Sequence, residues 1–347
     1  MSELIRVGYI GTGGIARRQA KDLAAMDDVE IVAGCDISEE ARKRFAEQFE
    51  VEQTFEDFND LVQLEDLDAV SVCTPNFMHK DPTVAALKAG KHVLVEKPMA
   101  MNAEEAQAMV DAAEQSEATL VMGFQRRLEP APQTLKRFIN DGQIGNVLFA
   151  RVQAMRRLGI PNWGVFGQKE LQGGGPLIDI GVHLIEVAHF LMGEPEPVTA
   201  SAQMFTYAGN KPSDVHCPWA GWDHETYNVE DLAVGFVRFD NGATMAVESS
   251  FVAHIEQDTY NVQIMGDEGG CTVHPPRVFR NEADTMVNIE PAFTGKWNGM
   301  TRKLQEWIGY VRGELETQCP ARSGLMVQKI LDGLYKSAEA EREIELA

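Results

Sequence analysis

The chain has 347 residues, 44% of them hydrophobic and 24% charged. That is ordinary globular composition, with length for two domains that each close a core. The formal net charge of −22 argues against a nucleic-acid partner, which needs a basic face, and it disfavours polyanionic substrates at long range. No run of about eighteen apolar residues appears, so no membrane-spanning segment is expected.

Met1-Ser2-Glu3 passes directly into an apolar stretch and lacks the basic and apolar regions of a signal peptide. Five scattered cysteines (Cys35, Cys73, Cys217, Cys271, Cys319) are odd in number and read as buried thiols in a reducing compartment. A cytoplasmic protein is the expectation.

Residues 5–10 form a short apolar strand, and Gly11-Thr12-Gly13-Gly14-Ile15-Ala16 follows at the turn into a helix that runs to Leu23. This is G-x-G-x-x-A in its required setting. The glycines permit a tight turn and close approach of a pyrophosphate, and the helix N-terminus favours the anion. The next strand, residues 30–35, ends in Asp36, about twenty residues beyond the glycines. A carboxylate there accepts hydrogen bonds from a ribose diol and repels a 2′-phosphate, so NAD is favoured over NADP. Arg42 and Lys43, on the following helix, are expected to lie too far along to hold a 2′-phosphate.

Strand 69–73 ends in Thr74-Pro75-Asn76, and His79 starts the next helix, packed on the loop or touching the cofactor. Strand 92–95 ends in Glu96-Lys97-Pro98. Pro98 cannot extend a central strand, which leaves Lys97 at a strand end beside a ligand crevice. Strand 119–122 ends in Gly123-Phe124-Gln125-Arg126-Arg127. With helices at 82–89 and 103–116 between them, these strands alternate as a Rossmann-type doubly wound parallel sheet over residues 1–124.

After Gly145 the pattern changes. Alternating strands are expected at 146–155, 199–207, 232–239, 243–251 and 260–265, with Asn241-Gly242 as a hairpin turn. Residues 125–347 therefore read as an α+β domain on a largely antiparallel open sheet. One helix interrupts it: Gly173-Gly174-Gly175-Pro176 precedes a buried apolar segment carrying Asp179 and His183. Four residues apart, these two share a helix face, and two polar groups on a buried face need partners or a ligand. His189 reads as a packing residue. The long segment 208–229 is expected to cover the site. His216, Cys217 and His224 within it lack the tight spacing of a zinc site, so no metal is expected.

Taken together, Gly11–Ala16 in order with Thr74-Pro75-Asn76, His79, Glu96-Lys97-Pro98 and Asp179-Ile180-Gly181-Val182-His183 resemble the glucose–fructose oxidoreductase / inositol dehydrogenase / MocA (Gfo/Idh/MocA) family. The resemblance spans nearly the whole chain, including Tyr335-Lys336-Ser337-Ala338-Glu339. It implies a nicotinamide-dependent dehydrogenase of sugars or cyclic polyols. In such enzymes the E-K-P lysine and the D-x-x-x-H pair line the substrate site, which makes Lys97, Asp179 and His183 the catalytic candidates. The cofactor is expected on Gly11, Thr12, Gly13, Gly14, Ile15, Asp36, Thr74, Pro75, Asn76, His79, Glu96, Lys97, Gln125 and Arg126, with Gln125 standing where many relatives have Asn.

Arg126 and Trp163 join the three catalytic candidates around the substrate. His183 would remove a hydroxyl proton, Lys97 would stabilise alkoxide character and Asp179 would orient a neighbour. The alternatives are an NAD-recycling glycosidase or isomerising enzyme, and a non-catalytic sugar or NAD sensor, against which the three intact candidates argue. A neutral sugar, cyclic polyol or glycoside is expected, with Trp163, Trp219 or Trp222 stacking on its ring. Arg126, Arg156 and Arg157 keep a sugar phosphate or uronate open. Met204, Val234, Phe236, Met245 and Val247 leave more apolar surface on the strands than one covered face uses, which predicts a homodimer or homotetramer.

Overall fold

A computed structural model describes residues 4–346, so the reading of Met1-Ser2-Glu3 lies outside the described residues. The chain divides into two units: residues 1–125 with 299–325, and residues 126–298 with 326–347.

In the first unit, β1 (Ile5–Ile10), β2 (Val29–Cys35), β3 (Gln53–Phe55), β4 (Ala69–Val72), β5 (His92–Val95) and β6 (Leu120–Met122) pair in parallel. Their order is β3-β2-β1-β4-β5-β6. The order reverses between β1 and β4, where such sheets open a crevice beyond the strand ends. β4 and β6 are buried along their whole length, as parallel strands covered on both faces must be.

The helix Gly299–Val311, read from sequence with the second domain, belongs to this unit. It packs on the helix Gly14–Leu23. Thr301 donates to Asp22 at 2.8 Å, Arg312 pairs with Asp28 at 2.5 Å, and Trp307 is fully buried. Its partners lie almost three hundred positions away in sequence, which local periodicity does not register.

In the second unit nine strands form one sheet. β7 (Val147–Met155), β8 (Pro197–Phe205), β9 (Leu232–Phe239), β10 (Thr244–Ser250) and β11 (Thr259–Gly266) were expected within a residue or two. The strands β12 (Gly269–Thr272), β13 (Arg277–Glu282), β14 (Thr285–Ile289) and β15 (Ile344–Glu345) were not. Only β7 and β10 pair in parallel; the other neighbours are antiparallel. Asn241-Gly242 turns β9 into β10, with Gly242 at φ +85°.

Helices cover one face of this sheet. Ala150, Val152, Met245, Val247, Val262 and Ile264 are buried beneath them. Met204 also turns inward, beside Leu177 and Leu334. The register sets Phe236 opposite Ala246 and Val234 opposite Glu248, so these two point to the other face. The five-residue apolar patch is therefore split: Met245 and Val247 are core and Met204 is half-buried on the same face, while Val234 and Phe236 lie on the open face with Phe205 and Met265.

The apolar stretch Lys169–Leu191, mean hydropathy 1.2, is broken after Gln172 by Gly173 at φ +89° and is almost wholly buried inside the fold. His189 sits in it, fully buried, with Nε2 donating to the Pro195 carbonyl at 2.9 Å and its ring stacked on Phe239. Burial holds its imidazole below the usual histidine range; Glu194 and Glu196 push it up and Arg127 down.

The unfolded chain takes this proton near about pH 6.5 and the folded one resists it. Stability is therefore fully present above that pH and lost as pH falls below it. The thermal midpoint should drop between pH 7.5 and 5.5, and His189→Gln, which can keep the Pro195 bond, should make that drop smaller. An equally steep drop in the variant would remove His189 as a source.

Candidate active site

The expected cofactor residues of the first unit gather at the carboxyl ends of its strands. Gly11 closes β1 at φ +84°, a conformation that favours glycine, and a Cβ there would lie 2.7 Å from the Cys73 carbonyl carbon and from Thr74 N. Gly13 and Gly14 are exposed, and nothing lies within 4 Å of a Cβ built on either. The helix Gly14–Leu23 starts there with no side-chain cap bond. Its first-turn N–H groups remain for an anion, as a pyrophosphate cradle requires. Ala16 is fully buried, Thr12 is buried and Ile15 half-buried.

Asp36 is fixed at the end of β2. Its carboxylate accepts from Thr12 N at 2.9 Å, Thr12 Oγ1 at 3.2 Å and Ser38 N at 2.9 Å. Arg42 lies closer than the sequence reading placed it. Its long side chain folds back one helical turn, Nη1 donates to the Asp36 carbonyl, and the guanidinium pairs with Glu56 at 3.5 Å. With that charge engaged by Glu56, a 2′-phosphate would still meet two carboxylates.

After β4, Thr74 Oγ1 donates to the Met78 carbonyl at 2.7 Å, Pro75 is exposed and Asn76 is buried. His79 is buried, with Nδ1 2.7 Å from the Pro98 carbonyl and Nε2 3.0 Å from that of Thr74. Both ring nitrogens face the backbone of the loops after β4 and β5. The ring thereby ties those two loops together, the packing role expected of it.

Glu96 is equally committed. Its Oε1 accepts from Gln19 Nε2 at 2.6 Å and from Lys303 Nζ at 2.5 Å, and its Oε2 from the Lys97 N–H at 3.3 Å. Gln19 Oε1 in turn accepts from Ser71 Oγ at 2.7 Å. Burial alone would push the Glu96 carboxyl up; the Lys303 and Lys97 charges outweigh it and hold it below its usual range. Cys73 beside it is inert, its thiol pushed up to about 12 by burial and by the Glu96 charge. Lys97 itself is half-buried. Gln125 Oε1, at the end of this unit, is a buried acceptor with no hydrogen-bond partner among the described residues. The open glycine cradle, fixed Asp36 and this orphan acceptor fit a dinucleotide.

In the second unit the Asp179 segment is built from its N-terminus. The Glu230 carboxylate accepts from Gly175 N at 2.8 Å, Leu177 N at 3.2 Å and the Tyr335 hydroxyl at 2.8 Å, an anionic cap on a helix start. The glycines before Pro176 leave room for this: a Cβ at Gly174 would lie 2.1 Å from the Tyr335 oxygen. Ser249 Oγ donates to the Pro176 carbonyl at 2.8 Å. Pro176 is the cap residue.

The expected four-residue α spacing is also modified. Leu177–Gly181 is a π-helical turn, followed by α-helix Val182–Leu191. Such turns are rare and concentrate at functional sites. Asp179 is buried within it and His183 half-buried just beyond. Arg127, fully buried, anchors the chain to this helix through Glu186 at 2.8 Å and to the turn beyond it through Glu194 at 2.9 Å.

The three arginines are each engaged. Arg126 pairs with Glu129 at 2.8 Å and lies over Tyr260. Arg157 donates to the Glu256 carbonyl at 3.1 Å. Arg156 donates to the Gly159 carbonyl at 2.9 Å between the rings of Trp219 and Phe251. Trp163 is exposed, edge-on to Trp219. Trp222 does not offer a stacking face: it is buried, with Nε1 donating to the Gly209 carbonyl at 2.8 Å. Its loop is organised by Asp231, which accepts from Tyr207, Ala208 and Gly209 N–H groups. Among the described residues no three His, Cys, Asp or Glu side chains gather as a metal set.

Lys303, Gln19, Glu230, Tyr335 and Arg127 were not singled out from sequence. The available signal was a polar residue on an apolar stripe. Lys303 stands three residues from Met300 and four from Trp307, and Gln19 stands between Ala16 and Leu23.

Residues 5–124 match the GFO_IDH_MocA oxidoreductase family with its NAD-binding Rossmann fold, and residues 133–272 match that family's C-terminal domain. D-glucoside 3-dehydrogenase of Escherichia coli K12 is 34% identical over 348 residues, 99% of this chain and 98% of that protein. Levoglucosan dehydrogenase of Pseudarthrobacter phenanthrenivorans is 30% identical over 79% of this chain and 74% of its own. The solved structure of levoglucosan dehydrogenase in complex with NADH and L-sorbose aligns at TM-score 0.82 and 25% identity over 100% of both chains.

Lys303→Met should lower stability by about 3–5 kcal/mol, the cost of leaving one member of a buried ion pair without its partner. Thermal unfolding measures this, and adding Glu96→Gln should recover part of the loss. An unchanged midpoint in the single variant would show that Glu96 is held by other groups.

Proposed function

The chain belongs to the Gfo/Idh/MocA oxidoreductase family, and from that premise we propose that it is an NAD-dependent dehydrogenase of a secondary hydroxyl on a neutral sugar, glycoside or cyclic polyol, with a D-glucoside as the leading substrate. The observation that carries the reading is the uncapped N-terminus of the helix Gly14–Leu23 beside a fixed Asp36, a seat for a pyrophosphate and a ribose diol. The full-length likeness to D-glucoside 3-dehydrogenase supports the choice of sugar. The engagement of Arg126, Arg156 and Arg157 within the protein favours a neutral ligand over a phosphate or uronate.

NAD, when bound, supplies the hydride acceptor. Gly11, Gly13 and Gly14 would hold its pyrophosphate, Asp36 its ribose, and Gln125 a donor group. His183 takes the hydroxyl proton, since imidazole exchanges protons in the working pH range. Lys97 donates to the same oxygen and stabilises negative charge as it develops. Asp179 accepts from a neighbouring hydroxyl and fixes the ring. Glu96 and His79 act on the loops and not on substrate. The free cysteines suit a reducing compartment, and we place the protein in the cytoplasm. Val234, Phe236, Phe205 and Met265 on the open sheet face are taken as the seat of a second copy of this chain.

Two measurements test this reading. Lys97→Ala should reduce NADH formation from a glucoside by about two orders of magnitude, the scale of losing one preorganised contact to developing charge. NAD affinity should change little; a variant that turns over normally but no longer binds NAD would reverse the assignment, and product without net NADH would indicate internal recycling. Light scattering should give a dimer or tetramer mass, and a monomer at working concentration would refute the second copy.

A further inference from the structure

Of the five tryptophans only Trp163 is exposed, at 51%. It stands on a built support. Asn162 Nδ2 donates to the Ala220 carbonyl at 2.9 Å, joining the Gly159–Trp163 segment to the loop that carries Trp219. The Trp163 and Trp219 ring centres are 5.1 Å apart at 89°. Trp219 in turn covers the Arg156 guanidinium at 4.6 Å. Of the charges acting on that guanidinium, the Asp179 carboxylate is the strongest. Within the second unit, therefore, a pair of indoles that opens to solvent stacks through Trp219 onto an arginine on which the candidate-site carboxylate Asp179 acts through its charge.

We propose that Trp163 and Trp219 form a subsite for the aglycone of a glycoside, a flat ring or second pyranose carried on the anomeric oxygen of the sugar whose hydroxyl Asp179 holds. This rests on the dehydrogenase reading for the identity of the oxidised ring. The chemistry is that of an apolar C–H or aromatic face laid on an indole, which tolerates many aglycones because any flat apolar face serves. Trp163 is then a specificity-determining residue and takes no part in the hydride step.

The test uses the full-length, NAD-loaded protein with methyl and phenyl β-D-glucopyranoside, read by calorimetric titration and by NADH absorbance. Wild type should bind the phenyl glucoside roughly tenfold more tightly. Trp163→Ala should remove the preference, weakening the phenyl compound roughly tenfold more than the methyl compound, and Trp163→Phe should restore most of it. Equal affinities in wild type, or an equal loss for both in Trp163→Ala, would overturn the subsite while NADH formation upheld the dehydrogenase. The Trp163-dependent preference without any NADH would do the reverse, and no binding of either glucoside would overturn both.

Discussion

The Glu96–Lys303 pair is the constraint on which the first unit's functional edge depends. A carboxylate at the end of β5 is buried, so its charge must be met by donors. Lys303 and Gln19 meet it from two helices, and the Lys97 N–H meets it from the loop it organises. One group thereby fixes the helix that offers its N-terminus to an anion, the return helix Gly299–Val311 and the backbone of the candidate catalytic lysine. The last is set by a hydrogen bond to a residue that cannot move without breaking a buried ion pair.

The second unit uses the same device with different partners. Glu230 replaces the missing side-chain cap of the Asp179 helix and is itself held by Tyr335, which comes from the far end of the chain. Asp231, its neighbour, gathers three backbone N–H groups of the Trp-rich loop. Glu186 takes Arg127 at the chain's entry to this unit. Each carboxylate is placed where backbone N–H groups or a cation would otherwise be buried without partners, which is the condition under which a buried acid is tolerated.

The parts of this arrangement that were legible in the sequence are those written in local pattern. The strand–glycine–helix turn, the β-branched runs ending in Asp36 and Glu96-Lys97-Pro98, and the hairpin at Asn241-Gly242 are all short-range signals. Residues whose roles depend on distant partners were not legible. Lys303 reads as one more surface lysine until Glu96 is beside it, and Tyr335 as a core aromatic until Glu230 is. Trp222 departs in the opposite sense: it is a chemically suggestive side chain whose ring is buried and whose N–H is taken by a nearby carbonyl. The π-helical turn at Leu177–Gly181 has no composition signal, because its extra residue is accommodated by Ser249 and Gly181 at close approach.

A buried ion pair is a poor source of stability, since desolvation of both charges consumes much of their attraction and an apolar pair of similar volume often serves as well. The presence of Lys303 at 1% exposure is better understood through what it does to Lys97. Without an internal cation, Glu96 would be a buried anion one residue from an ammonium group and would draw that group inward. With Lys303 as its counter-ion, Glu96 is met by the charges of both lysines and also accepts from the Lys97 N–H. The two lysines differ in setting: Lys303 is fully buried against the carboxylate, and the half-buried Lys97 is the one proposed to act on an oxygen that is becoming negative.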